Sequence, residues 1–167
     1  MYTGHLDTDW LVDQKYFRRR QLDAAWSFAY VRNPFTRIVS LYRHNLRDSV
    51  IPQMSLTEYL TWIASLEPGA YPGRGAPSAF RASPMTTWLR PSAWSGPKQI
   101  FKFEEFEIGL SEIRRRLKIS TFPPLLNHDS SDSPILLSGE DVDLIRELFW
   151  EDFEAYGYSL EPPREML

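Results

Sequence analysis

The chain has 167 residues, 43% of them hydrophobic and 14% aromatic, which is enough apolar material to close the core of one domain and excludes disorder. No apolar run approaches the roughly 18 residues of a membrane helix, the first ten residues are polar and acidic rather than leader-like, and no cysteine is present for a disulfide, a thiolate metal site or a thiol nucleophile. The expected location is the cytoplasm, and a net charge of −3 with an isoelectric point near 5.6 argues against general binding of a phosphate backbone.

Charge is unevenly spread. Residues 1–50 hold eight Lys/Arg against five Asp/Glu, whereas residues 101–167 hold seven against fifteen. Fifteen of the nineteen basic residues are Arg, the side chain that grips phosphate or carboxylate with a two-pronged fork, so a small anion site is expected in the first third.

Residues 1–24 form an N-terminal segment with scattered Asp and the run Arg18, Arg19, Arg20, read as helix or irregular structure with an exposed face. Ala25 to Val31 (AWSFAYV) has the unbroken apolar character of a buried strand from a parallel sheet. Phe35, Ile38, Val39, Leu41, Tyr42 and Leu46 then recur at helical spacing behind Asn33, a capping residue, and Pro34, which suits a first helical turn. Ser55 to Leu66 is a second helix opened by a Ser55–Glu58 capping box. The region 67–97 is a long loop rich in Pro and Gly, interrupted by a short helix over Pro84 to Leu89. Lys98 to Phe103 is a second strand, and Glu104 to Leu117 has helical spacing. Gly139 to Tyr156 is a last helix with a Ser138–Asp141 capping box, an apolar face through Val142, Ile145, Phe149, Phe153 and Tyr156, solvent-facing acidic residues, and Gly157 as C-cap. Strand followed by helix occurs twice, which points to a single α/β domain over residues 1–167 with parallel strands.

The segment FAYVRNPFTRIVSLYRHN (residues 28–45) carries the chemistry. Arg32 sits where a strand ends, Asn33 and Pro34 open the helix behind it, and Arg37 and Ser40 lie three apart on that helix. A helix N-terminus offers unpaired N–H groups and partial positive charge, so these groups together could clamp a phosphate at the carboxyl end of a strand. The competing expectation is that Arg32 and Arg37 pair with carboxylates of the acidic second half.

RNPFTRIVSLY resembles the R-x-P-x-x-R-x-x-S-x-Y motif with which sulfotransferases bind the ribose 3′-phosphate of phosphoadenosine phosphosulfate (PAPS). KFEEF (102–106) is similar to a segment that ends a later strand in carbohydrate and membrane-type sulfotransferases. TTWL (86–89), PPLLNHDS (123–130) and IRELFWEDFEAYGYS (145–159) resemble elements of the same family in the same order, so the resemblance runs from about residue 25 to 159. It implies a three-layer parallel sheet of the P-loop nucleotide-binding type, with residues 25–47 as the 3′-phosphate unit and residues 98–159 as strand and C-terminal helices. It places Arg32 and Ser40 on the 3′-phosphate, with Arg37 in support. The family's phosphosulfate-binding loop, of the type P-K-x-G-T/S, has no counterpart here: Lys15 is followed by Tyr16, Phe17 and Arg18. The expected fold is therefore N-terminally abbreviated, with a sheet edge or apolar face left for a homodimer or the N-terminal segment to cover.

The implied reaction is transfer of a sulfuryl group from PAPS to a hydroxyl of a carbohydrate-type acceptor, leaving phosphoadenosine phosphate (PAP), without metal. His5 is the expected general base, with His44 and His128 as lesser candidates, and no two of these have metal-ligand spacing. Trp88 and Trp94 could stack on an adenine or sugar ring, Arg18 to Arg20 could attract an anionic acceptor, and Trp26, Trp62 and Trp150 are expected in the core. The alternatives are a catalytically incomplete remnant that binds PAP, PAPS or a partner protein without turnover, and an interaction domain whose arginines only balance the acidic helix.

Overall fold

The computed structural model describes residues 12–66, 82–89, 98–120 and 135–167, the Trp88 side chain excepted. In chain order it contains α1 (Arg19–Ala24), β1 (Phe28–Val31), α2 (Pro34–Arg47), α3 (Leu56–Ala64), α4 (Met85–Leu89), β2 (Gln99–Lys102) and α5 (Phe106–Leu117), followed by α6 (Gly139–Leu148) and α7 (Trp150–Tyr156). Single 3₁₀ turns cover Phe103–Glu105 and Arg164–Met166.

The helix starts follow the local chemistry of the sequence. The Ser55 side chain accepts the Glu58 N–H while the Glu58 carboxylate accepts the Ser55 N–H, and Ser138 and Asp141 repeat the exchange at the start of α6. Asn33 accepts the Phe35 N–H at 2.9 Å with Pro34 in the first turn, and Gly157 closes α7 at φ 63°, a left-handed conformation that suits glycine.

Strands β1 and β2 pair in parallel, with Phe28 opposite Gln99, Tyr30 opposite Phe101 and Val31 opposite Lys102. Among the described residues this is a two-stranded sheet inside a mixed helix and strand architecture. With so few neighbours, β1 is not the fully buried strand its composition suggests: Phe28 is 40% exposed and only Val31 is buried. Ile100 on β2 and Ile108 on α5 are also open to solvent, beside a shallow cleft that continues to Lys102, Glu105 and Gly109.

Helix α5 lies against the aromatic face formed by Tyr30 and Phe101. Gly109 makes the approach feasible, because a Cβ there would fall 2.8 Å from Phe101 Cγ and 2.4 Å from the Tyr30 hydroxyl. Tyr30 stacks on Phe106 with ring centroids 5.1 Å apart and donates to the Phe106 carbonyl at 3.3 Å.

The larger core is helical. Phe35, Ile38, Val39 and Tyr42 of α2 meet Tyr59, Leu60 and Ile63 of α3 and Val142, Ile145, Phe149 and Phe153 of the last two helices, each large side chain contributing about 1.5–3 kcal/mol by leaving water. Inside this core Asn45 donates to the Tyr59 hydroxyl at 2.9 Å. Thr57 donates to Asp141 at 2.7 Å and joins α3 to α6.

Three expectations need correction. The last helix is not continuous from Gly139 to Tyr156: it breaks at Phe149 (φ −119°, ψ 21°), whose ring is buried in the core and stacks under Arg37. Trp150 is 52% exposed rather than in the core, and Asp152, three residues after buried Phe149, is wholly buried rather than facing solvent. Asp141 is buried as well, held by its cap and by Thr57. Trp26 and Trp62 are half-buried, against Phe28 and Tyr59 respectively.

Replacing Gly109 with Ala should lower unfolding free energy by about 1–3 kcal/mol in chemical denaturation, because the methyl must displace the Tyr30 and Phe101 rings from their packed positions. Burial, opposed by the Asn45 bond and the nearby Arg37 charge, pushes the Tyr59 phenol up to about 12. Between pH 10 and 12 the unfolded chain releases this proton and the folded chain keeps it. Stability should therefore fall across that window with a slope of up to about 1.4 kcal/mol per pH unit from this group, and the Tyr59→Phe variant should lack that component in pH-dependent denaturation.

Candidate functional site at the carboxyl end of the parallel strands

The chain leaves β1 into Arg32 and Asn33 and leaves β2 into the turn at Phe103–Glu105, so these five residues lie at the same end of the sheet. That end is where open α/β sheets collect their ligands.

Arg32 is half-buried. Its Nε donates to Thr36 Oγ1 at 3.1 Å, and its guanidinium lies over the Phe103 ring at 5.1 Å from the centroid. Its backbone N–H makes a weak contact with the Met85 sulfur at 3.4 Å. Burial pulls the Arg32 guanidinium down from its ordinary value and the Glu104 charge pushes it back, which leaves it a cation.

Glu104 binds on two sides. One carboxylate oxygen accepts the Asn33 N–H at 2.7 Å and the other accepts the Tyr158 hydroxyl at 2.9 Å. Burial, then the bond to Glu104 and its charge, raises the Tyr158 phenol, so it stays a donor. Lys102 rests over the Tyr158 ring at 4.6 Å. The tail after α7 is thereby fastened to the ends of both strands.

This arrangement alters the expected anion clamp in one respect. Pro34 has no N–H, Asn33 already caps Phe35, and Glu104 occupies the Asn33 N–H, so the first turn of α2 is largely satisfied from within. A phosphate here would be held by side chains rather than by the helix N-terminus.

The two arginines of the motif take different positions. Arg37 turns into the protein, where Nη2 donates to the Ser83 carbonyl at 2.6 Å, Nη1 lies 3.9 Å from Asp152, and the guanidinium faces the Phe149 ring. Burial lowers its pKa and the Asp152 charge opposes that shift. Asp152 in turn accepts the N–H groups of Met85 and Thr86, both at 2.8 Å. Arg37 and Asp152 thus lock α2, α4 and α7 together.

Ser40 is exposed one turn beyond Thr36, and the hydroxyls at 36 and 40 share a helix face. His44 follows one further turn along, 3.2 Å from an Arg47 nitrogen and 3.4 Å from an Asp48 oxygen at the end of α2. Arg18, Arg19 and Arg20 are exposed at the start of α1. His5, His128, Trp94, the Trp88 side chain and most of the long loop over 67–97 lie outside the described residues. Among the described residues no group of His, Asp and Glu is placed to hold a metal ion, and no helix is long and apolar enough to cross a membrane.

Two residues of this region were not singled out in the sequence. Thr36 carried a signal in its spacing, four residues from both Arg32 and Ser40. Asp152 carried one in falling three residues after Phe149, on the apolar stripe of the last helix.

A model of the Sulfotransferase family matches residues 5–75. The match takes in Arg32, Thr36, Arg37 and Ser40 and leaves the later similar segments outside. No curated protein and no solved structure matches the chain.

Truncating Asp152 to Ala should cost about 3–5 kcal/mol of stability in chemical denaturation, because it removes the charge beside buried Arg37 together with the acceptor of two backbone N–H groups. Asp152→Asn, which keeps one acceptor, should cost less.

Proposed function

We propose that this chain, whose residues 5–75 match a model of the Sulfotransferase family, binds the ribose 3′-phosphate of PAPS or PAP through Arg32 and Ser40. The observation that carries this reading is the state of the Arg32 guanidinium. It is oriented by Thr36 and Phe103 at the carboxyl end of β1, and no hydrogen-bond acceptor among the described residues reaches either of its Nη atoms. The fork is free to take two oxygens of one phosphate, the geometry in which Arg exceeds Lys as an anion ligand. Ser40 adds an exposed hydroxyl on the same side of α2. Arg37 supports the site indirectly, because its bonds to Ser83 and Asp152 fix the helix that bears Thr36 and Ser40.

The reaction is sulfuryl transfer to a hydroxyl of a carbohydrate-type acceptor. The new S–O bond forms as the bond from sulfur to the donor's bridging oxygen breaks, a base takes the acceptor's proton, and PAP leaves. His5 is the residue assigned to that base, since imidazole titrates near neutrality. Within this scheme Arg32 and Ser40 hold the donor by the end remote from the reacting sulfur, and binding energy spent there positions the phosphosulfate. The fold that suits this chemistry is a three-layer parallel sheet of the P-loop nucleotide-binding type, with β1 and β2 as two of its strands. Exposed Ile100 and Ile108 favour a covered face there, as in a homodimer.

A second reading, binding of PAP or PAPS without turnover, is supported by the burial of Arg37. One of the two motif arginines is committed to Asp152 inside the fold and is not available to the reaction.

Titration calorimetry with PAP tests both. Wild-type protein should bind, and Arg32→Ala should weaken binding by about 10- to 100-fold, the loss typical of hydrogen bonds to a charged group. Absence of binding at millimolar PAP, or binding indifferent to Arg32→Ala, would overturn the 3′-phosphate assignment. Release of PAP from PAPS with a carbohydrate acceptor separates turnover from binding alone.

A further inference from the structure

We infer that Thr36 is a positioning residue for the anion site, setting the Arg32 guanidinium in its phosphate-ready orientation before any ligand arrives. This rests on the assignment of Arg32 to a phosphate and adds to it a residue that touches only the arginine.

The hydrogen bonds run in one direction. Thr36 Oγ1 donates its single proton to the Asn33 carbonyl at 3.2 Å, so its lone pairs are turned outward and one of them accepts Arg32 Nε–H at 3.1 Å. A threonine inside a helix has few χ1 choices, and the one bonded back to the carbonyl three residues earlier is held by that bond. The acceptor presented to Arg32 is therefore itself fixed. On its flat face the guanidinium meets the Phe103 ring, which limits rotation about the bond that Thr36 leaves free.

With Nε occupied and one face covered, the N–H bonds of the two Nη atoms remain, and no acceptor among the described residues takes them. An arginine on a four-bond stem otherwise loses considerable rotamer freedom when it grips an anion. Here Thr36 and Phe103 have restricted that freedom beforehand, and an affinity contribution of about two- to ten-fold is expected from one such preordered side chain.

Thr36→Val has almost the same volume and branching but cannot accept from Nε, whereas Thr36→Ser keeps the hydroxyl. In PAP titrations of the full chain, Thr36→Val should weaken binding by about two- to ten-fold, and Thr36→Ser should stay within two-fold of wild type. In an Arg32→Ala background Thr36→Val should have no further effect, because the residue it acts through is gone. Should Thr36→Val bind like wild type while Arg32→Ala does not, or should its effect persist undiminished without Arg32, the positioning role is overturned and the phosphate assignment stands. A wild-type chain that fails to bind PAP overturns the assignment and the positioning role together. A thermal scan of each variant serves as the control for folding, since loss of fold would lower binding in both backgrounds.

Discussion

The carboxylate of Asp152 is the constraint on which the rest of the described structure depends. It is buried completely, and a buried charge is tolerated only when hydrogen bonds and an opposite charge replace water. The two N–H groups at the start of α4 and the guanidinium of Arg37 meet that need from two separate stretches of chain. Each partner would be costly to bury alone: the short helix α4 has unmatched backbone donors at its start, and Arg37 is a cation under the Phe149 ring. Their mutual satisfaction fixes α2 against α7, and α2 is the element that carries Thr36 and Ser40.

The same helix shows how one motif can divide its labour. Arg32 and Arg37 are five residues apart, and both belong to the pattern that resembles a phosphate-binding segment. The outcome differs because of what surrounds each. Arg37 is drawn into a core that contains its counter-charge, while Arg32 stands at the end of a strand where an aromatic face and a hydroxyl orient it without satisfying its fork. Glu104 contributes by not being an ion-pair partner at hydrogen-bond distance: both of its oxygens are occupied by Asn33 and Tyr158, so its charge stabilises the Arg32 cation without covering the Nη groups.

Local signals were readable directly from the residues. The Ser55–Glu58 and Ser138–Asp141 caps, the Asn33–Pro34 start and the Gly157 stop all appear at the expected positions, because each depends on atoms within four residues. Long-range features were not readable in the same way. Nothing in the neighbourhood of Trp150 tells whether an apolar ring at that position meets a partner, and Asp152 resembles the other acidic residues of its helix until its phase is set beside Phe149 and Phe153. The Arg32 site was partly legible: the strand end and its arginine follow from pattern, but the closure of the helix start by Glu104 depends on a residue 71 positions away from Asn33.

The break at Phe149 interrupts the helix but leaves its inward-facing phase unchanged. An α-helix turns about 100° per residue, so a side chain's inward or outward direction is fixed by counting from any buried neighbour. Val142, Ile145 and Phe149 before the break and Asp152 and Phe153 after it are spaced by threes and fours, so a single count runs through both helices. The spacing across the break is then a matter of register rather than composition. Adding one residue there would leave every side chain chemically unchanged, yet would swing the carboxylate of Asp152 out of its place and present Glu151 to Arg37, whereas removing one would present Phe153.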